Sequence, residues 1–104
     1  MQAVAELSSL SRITRITHLA DQLNWASLSI PANIAEGNGR FLPKDRRNFF
    51  VIARAPAQEC LPLLEVAKRR GLVTKEDHAE LIHELEVIVK MISGLIGRTD
   101  KKTG

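Results

Sequence analysis

The side chains in this sequence that are suited to catalysis are few and scattered. A single cysteine, Cys60, lies on an apolar helical pattern with no histidine or cation beside it to lower its pKa. We therefore interpret it as a small core residue rather than a nucleophile. The histidines form no HxxxH or HxH pair, so we expect surface or helix-cap positions for His18, His78 and His83. The sequence predicts no catalytic residue, no metal site and no cofactor.

Two carboxylates, Glu36 and Glu59, lie close to apolar helical patterns. A pair of acidic groups could serve acid–base chemistry, but a carboxylate beside a core also needs a cationic partner for structural reasons. Arg40 or Arg47 could be that partner. Because no ligand set or pocket accompanies the two residues, we favour structural ion pairs and predict that the protein is not an enzyme.

Basic residues are concentrated in the middle of the chain, where residues 40 to 70 hold eight cations against three carboxylates. Point charges of this kind bind phosphate groups, while a solvated helix face is the alternative that we leave open. The side chain of Trp25 could stack on a base, although packing at a helix interface is the interpretation that we favour. The candidate nucleic-acid-binding residues are Arg40, Lys44, Arg46, Arg47, Arg54, Lys68, Arg69 and Arg70.

The elements that must position these residues are predicted to be helices. With 104 residues, 44% apolar and only 4% aromatic, the chain suits one small α-helical domain. Apolar residues at alternating spacings of three and four predict one helix over residues 12–36, bent at Pro31. Gly37 is expected to end this helix in the left-handed conformation. The segment before it is predicted to be a short first helix or a forward extension of the second.

Two further helices follow. One begins at Leu42-Pro43 and ends at Arg69-Arg70-Gly71, with a kink or local break expected near Pro56 or Pro62. Its apolar seam consists of Phe50, Ala53, Ala57, Cys60, Leu64 and Ala67. The last helix begins after Thr74 and is expected to end near Gly97. Residues 1–97 are thus predicted to be a single domain, and residues 98–104 a frayed basic tail.

Short turns between these helices predict an all-α, up-and-down antiparallel bundle, either of a four-helix type with a shortened first helix or with effectively three long helices. A first helix this short would leave apolar surface exposed, which favours burial against copies of the same chain. No leader, membrane-spanning run or lipidation signature is recognisable, so we expect a cytoplasmic protein without a membrane partner or a small-molecule substrate.

The stretch SIPANIAEGNGR at residues 29–40, followed by DRRNFFVIARAPAQECLPLLEVAKRRGLV, resembles the four-helix-bundle family of 23S rRNA-intervening-sequence proteins. That family also includes the accessory variability protein of diversity-generating retroelements. The resemblance extends over about residues 19–73 and implies fold and assembly roles for a structural signature. Its members here are Ser29, Ile30, Pro31, Asn33, Ile34, Ala35, Glu36, Gly37, Gly39, Arg40, Ile52, Ala53 and Glu59.

The resemblance further implies a homopentamer and, for the retroelement relatives, a basic surface that binds nucleic acid and a reverse transcriptase. The leading hypothesis is therefore a non-enzymatic oligomeric scaffold that binds RNA or DNA. The alternative is a protein–protein interaction module with no role in nucleic-acid binding, in which the charges serve solubility.

Overall fold

A computed structural model of the chain describes residues 2–103, with side chains over residues 14–101. It consists of three helices, α1 (Gln2–Asn38), α2 (Pro43–Arg69) and α3 (Lys75–Thr103), joined by two short turns. Residues 2–103 contain no strand. The prediction of an all-α, up-and-down bundle is confirmed in its form with three long helices.

Helix α1 passes through Pro31 without interruption, so the first segment is a forward extension and not a separate helix. Pro31 lacks an amide hydrogen and leaves the carbonyl of Ser27 without its usual helical donor. Side chains on either side bond to the backbone. The Ser27 hydroxyl donates to the Asn24 carbonyl at 2.7 Å, and Asn33 Nδ2 donates to the Ser29 carbonyl at 2.8 Å.

Gly37 does not cap α1 as predicted, because the helix continues to Asn38 and Gly37 has no positive φ. Its role is close packing against α2. A Cβ atom at this position would lie 2.6 Å from Cε1 of Phe50 and 3.2 Å from the Arg46 carbonyl oxygen. Glycine is therefore required here by the close approach of the two helices and not by backbone conformation.

Helix α2 is the central helix and supplies most of the buried core. All six residues of its predicted seam are buried, and four of them have no exposed surface: Ala53, Ala57, Cys60 and Leu64. The local break expected near Pro56 or Pro62 is absent, since the helix is continuous from Pro43 to Arg69. Pro56 is itself buried, so its ring contributes apolar packing that offsets part of the cost of the lost hydrogen bond.

The turn between α2 and α3 uses two capping devices that the sequence predicts. Gly71 has φ +69°, its amide donates to the Lys68 carbonyl, and the Leu72 amide donates to the Ala67 carbonyl at 2.8 Å. These bonds form a Schellman motif at the end of α2. Thr74 then caps α3, since its hydroxyl accepts the Asp77 amide at 3.0 Å.

Helix α3 does not end near Gly97 but continues to Thr103. Glycine costs only about 1 kcal/mol relative to alanine inside a helix, so a lone glycine is a weak stop signal. The last turns are tied to the bundle because Thr99 is buried and Arg47 Nε lies 2.7 Å from Asp100 Oδ1. The segment predicted to be a frayed tail therefore brings charged groups to the beginning of α2.

The three helices form an elongated body of 63 × 22 × 17 Å. Helix α2 packs against both α1 and α3, whereas the backbones of α1 and α3 do not approach each other closely within residues 2–103. With 37 residues against 27, α1 is longer than α2 by about 15 Å at 1.5 Å per residue. Since the two helices meet at a short turn, this excess extends the N-terminal end of α1 beyond α2.

Candidate nucleic-acid interface

The antiparallel arrangement divides the predicted cations between the two ends of α2. Arg46 and Arg69 are separated by 23 residues of one continuous helix, or about 35 Å. The candidates therefore do not form one patch. We refer to the end where α1 ends and α2 begins as the Arg46 end, and to the opposite end as the Arg70 end.

The Arg46 end gathers cations from the α1–α2 turn, from α2 and from α3. Arg40 pairs with Glu36 at 3.3 Å, as predicted, and its guanidinium lies 4.7 Å from the centre of the Phe49 ring. Arg47 pairs with Asp100 of α3. Because both ion pairs are about half exposed, each stabilises the fold by at most about 1 kcal/mol. These pairs fix the positions of two arginines but leave them at the surface.

Three other cations at this end, two of them predicted candidates, have no ion-pair partner in the described part of the chain. They are Lys44 in the first turn of α2, Arg46, and Arg98 near the end of α3. Arg98 and Lys101 were assigned to a tail by the sequence and were missed as part of this cluster. The heptad register of α3 could have placed both residues on this helix, because Thr99 follows Ile92 by seven residues and both are buried.

The Arg70 end holds Lys68, Arg69 and Arg70. Arg69 Nε lies 3.6 Å from Glu65 of the preceding turn, and all three cations are exposed. Arg15 of α1 lines the neighbouring groove with Leu72 and adds a further cation that the sequence did not single out. Arg54 belongs to neither end, because its guanidinium donates to the Ser93 hydroxyl at 3.0 Å in the middle of the α2–α3 contact.

The family of the chain follows from its sequence over most of its length. Residues 1–94 match the family model described as 23S rRNA-intervening sequence protein. The chain belongs to this family. No curated protein and no solved structure matches it significantly. The family assignment thus confirms the resemblance.

The signature of this 23S rRNA-intervening sequence protein is divided between buried residues of α1 and α2 and exposed residues around the α1–α2 turn. Gly37 and Ser29 are buried, and the Gly39 amide bonds to the carbonyls of Ala35 and Glu36 in the last turn of α1. Glu59 is exposed and has no ion pair with any side chain in residues 14–101, so the partner expected in Arg47 is not its partner. The signature therefore includes one carboxylate that has no ion-pair partner among the described side chains.

The side chains considered for catalysis do not converge in this family member. His18 and His83 are exposed, but His78 is buried, with Nε2 3.2 Å from Glu65 Oε2, so its predicted surface position was wrong. It falls on the buried stripe seven residues before Leu85. No group of three potential metal ligands occurs among the described residues. None of the helices, over the same residues, combines the length and hydropathy needed to cross a bilayer.

Cys60 has no exposed surface, and burial, with a further contribution from the charge of Glu59, raises the pKa of its thiol. A raised pKa keeps the group as a neutral thiol at neutral pH, and the thiol is a poor nucleophile. We expect iodoacetamide at pH 7.5 to leave Cys60 unmodified in the native protein and to alkylate it in 6 M guanidinium chloride. Mass spectrometry measures both states, and rapid alkylation of the native protein would contradict a core position.

Several large apolar side chains remain exposed on the outer surface of α1 and α2. Val66 lines a groove with Thr14 and His18 of α1, which shows that this side of α2 faces α1. On α2, Ile52 lies two heptads before Val66, and on α1, Trp25 lies one heptad after His18. Because residues one heptad apart lie on the same side of a helix, Ile52 and Trp25 share that outer surface. Trp25 is 61% exposed, Ile52 53% and Val66 48%. We call these three residues, with Glu59, the α1–α2 outer face.

Proposed function

We propose that this protein is a non-enzymatic, oligomeric scaffold of the cytoplasm that binds nucleic acid through the cations at the two ends of α2. The ligand would be structured RNA, alone or in complex with a reverse transcriptase. The observation that carries the proposal is the Arg46 end, where the α1–α2 turn, α2 and α3 contribute cations and several have no carboxylate partner among the described side chains. Such a cluster suits phosphate groups, which bind through point charges in any sequence context.

Neutralising cations at both ends should weaken binding without unfolding the protein. We expect the variant with Arg46, Arg47, Arg69 and Arg70 all changed to Gln to bind structured RNA at least tenfold more weakly in a gel-shift series. The slope of log affinity against log salt should also fall by about 3, since each neutralised phosphate contributes about 0.7–0.9. Circular dichroism and thermal melting check that the helices persist.

A matched control is Lys90→Gln, which removes an exposed charge from the middle of α3. It should leave both the affinity and the salt slope nearly unchanged. Nucleic-acid binding through these cations is refuted if the wild-type protein shows no salt-sensitive shift, or if the control weakens binding as much per charge as the fourfold variant.

The α1–α2 outer face supports the oligomeric part of the proposal. Glu59 stands seven residues after Ile52 and seven before Val66, so an unpaired carboxylate lies between two exposed apolar side chains on one stripe of α2. Apolar residues around one charged group are suited to an interface in which the charge finds a partner on another chain. By resemblance, the assembly would be a homopentamer.

Placing charges on this face should disrupt the assembly. We expect light scattering to give a multiple of the 11.6 kDa chain mass for the wild type and a lower mass for the double variant Ile52→Lys, Val66→Lys. Val87→Lys on α3, where the side chain is 41% exposed, is the control and should keep the wild-type mass. A monomeric wild-type protein, or an unchanged mass in the double variant, would contradict assembly through this face.

The same exposed face is the observation that favours the alternative, a protein–protein interaction module. In that case Trp25, Ile52 and Val66 would dock a different protein, and the cations would serve solubility. A partner recovered equally well before and after nuclease treatment, and lost in the Ile52→Lys, Val66→Lys variant, would support the module. Loss of the partner after nuclease treatment would support nucleic acid instead.

A further inference from the structure

A cavity of about 310 Å³ opens at the Arg46 end, between the end of α1, the beginning of α2 and the last turns of α3. Its walls include Arg46, Arg98, Asn38 and Thr99, and its apolar part includes Phe50 and Leu95. No acidic residue lines it. Two arginines therefore face one cavity without a carboxylate in its wall.

The arginines at this end differ in what their charges contact. The charges of Arg40 and Arg47 are compensated by Glu36 and Asp100, whereas Arg46 and Arg98 have no ion pair within residues 14–101. Moreover, the Nε atom of Arg46 is buried and has no hydrogen-bond acceptor among the described groups. A buried donor of a charged group is costly to leave without an acceptor, so its presence indicates that an anion completes the site.

Other groups around the cavity also favour an anion. Helix α2 begins at Pro43 in the cavity wall, and its N-cap residue Leu42 offers no side-chain acceptor to the first turn. The start of α2 adds the partial positive charge of the helix dipole but few free donors, because Pro43 has no amide hydrogen and the amides of Asp45 and Arg46 bond to the Leu42 carbonyl. The carboxylate of Asp45 in the first turn offsets part of that charge. The amide of Asn38 adds a neutral donor at the rim. The Thr99 hydroxyl is already engaged as a donor to the Leu95 carbonyl at 2.9 Å, so it contributes only acceptor capacity.

We propose that this cavity binds a phosphate group of nucleic acid, held by the guanidinium groups of Arg46 and Arg98. Arginine suits this task because its planar fork contacts two phosphate oxygens at once. The volume is at the lower end of ligand pockets and exceeds what a lone phosphate needs, which leaves room for the attached sugar against Leu95 and Phe50. The assignment to nucleic acid rests on the proposed function, but phosphate binding itself does not.

The first measurement uses inorganic phosphate with the whole protein. Isothermal titration and thermal melting at constant ionic strength, with chloride as the reference anion, should show saturable binding and stabilisation of the wild type. Arg46→Met and Arg98→Met should each weaken phosphate binding at least tenfold. Lys44→Met, which removes the same charge at the same end but from outside the cavity wall, should change it less than threefold.

The second measurement repeats the three variants with a single-stranded RNA oligonucleotide. A larger loss of RNA affinity in the Arg46 and Arg98 variants than in Lys44→Met supports a nucleic-acid phosphate. The Arg46 and Arg98 variants could instead lose phosphate binding while their RNA affinity equals that of Lys44→Met. That result assigns the cavity to a small phosphorylated molecule and overturns the link to nucleic acid.

Absence of saturable phosphate binding in the wild type, or equal weakening by Lys44→Met, overturns the phosphate site even if RNA still binds. Conversely, phosphate binding without any RNA binding leaves the site standing and contradicts the nucleic-acid function. The melting temperature of Arg46→Met in the absence of phosphate shows whether the change affects folding as well as binding. Because that change removes a buried donor that lacks an acceptor, the melting temperature should not fall.

Discussion

Replacing Gly37 with alanine is expected to destabilise the protein by about 2 kcal/mol, although alanine is the better helix former. The new methyl group would meet the Phe50 ring at 2.6 Å and the Arg46 carbonyl at 3.2 Å. Phe50 is buried and the carbonyl belongs to the backbone of α2, so the helices would have to separate. Overpacking of this kind costs about 1–3 kcal/mol or more, which exceeds the gain of up to about 1 kcal/mol in helix propensity.

Denaturant unfolding of Gly37→Ala and of Gly97→Ala provides the measurement and its control. A Cβ atom at Gly97 would meet nothing within 4 Å, so Gly97→Ala should stabilise the protein by about 0.5–1 kcal/mol. In a double-mutant cycle, Phe50→Leu should reduce the cost of Gly37→Ala, because the shortened side chain vacates the contact. Stabilisation by Gly37→Ala would show that the two helices do not approach closely.

Truncating Ile92 to alanine is expected to cost about 2–5 kcal/mol, the largest loss predicted for this chain. Ile92 has no exposed surface and lies in the middle of α3, where its side chain belongs to the common core with Leu85 and Ile96. Removing buried methylene groups loses their transfer free energy and leaves a cavity that neighbouring residues fill only in part. Chemical denaturation followed by circular dichroism measures the change.

The neighbouring residue provides the control, since Met91 lies on an adjacent face of the same helix and is 65% exposed. Met91→Ala should change the free energy of unfolding by less than about 0.5 kcal/mol in the single chain. Equal losses for Ile92→Ala and Met91→Ala at every protein concentration would contradict the orientation of α3. A loss for Met91→Ala that grows with protein concentration would instead place Met91 in an interface between chains.

How well the sequence predicted the fold depended on the helix. For α2, all six residues of the predicted seam are buried, and Pro56 is buried in addition to them. For α1 the buried stripe runs through Leu19, Ala26 and Ile30 to Gly37. The spacing of three and four that predicts this helix also places Ile16 on the apolar seam, yet Ile16 is 45% exposed. A pattern of apolar residues does not show which small residue allows the closest approach, and Gly37 sets the rotation of α1.

For α3 the difference has a similar cause. The buried stripe follows His78, Leu85, Ile92 and Thr99 at intervals of seven, so two of its four positions are polar. Apolar periodicity alone cannot include a histidine or a threonine in a core. For the same reason the end of α3 was predicted to be a tail, and Arg98 was not assigned to the candidate site.

The candidate site was predictable in its residue types but not in its arrangement. The sequence identified Arg46 among eight cations, yet which of them pair is decided by distances across helices, as with Arg47 and Asp100. The wall contributed by Leu95 and Arg98 comes from a segment 50 residues away in sequence. A cavity formed by the ends of three helices has no local signature.

The central position of α2 has a consequence for how quickly this chain reaches its native state. Each close approach of two helix backbones within residues 2–103 joins neighbours along the chain through a turn of four or five residues, and α1 and α3 meet only through side chains. Closing such short loops costs little chain entropy, and the contact order of the fold is correspondingly low. Helical proteins with this topology fold in microseconds to milliseconds, which leaves the core residues of the unfolded chain exposed to aggregation only briefly.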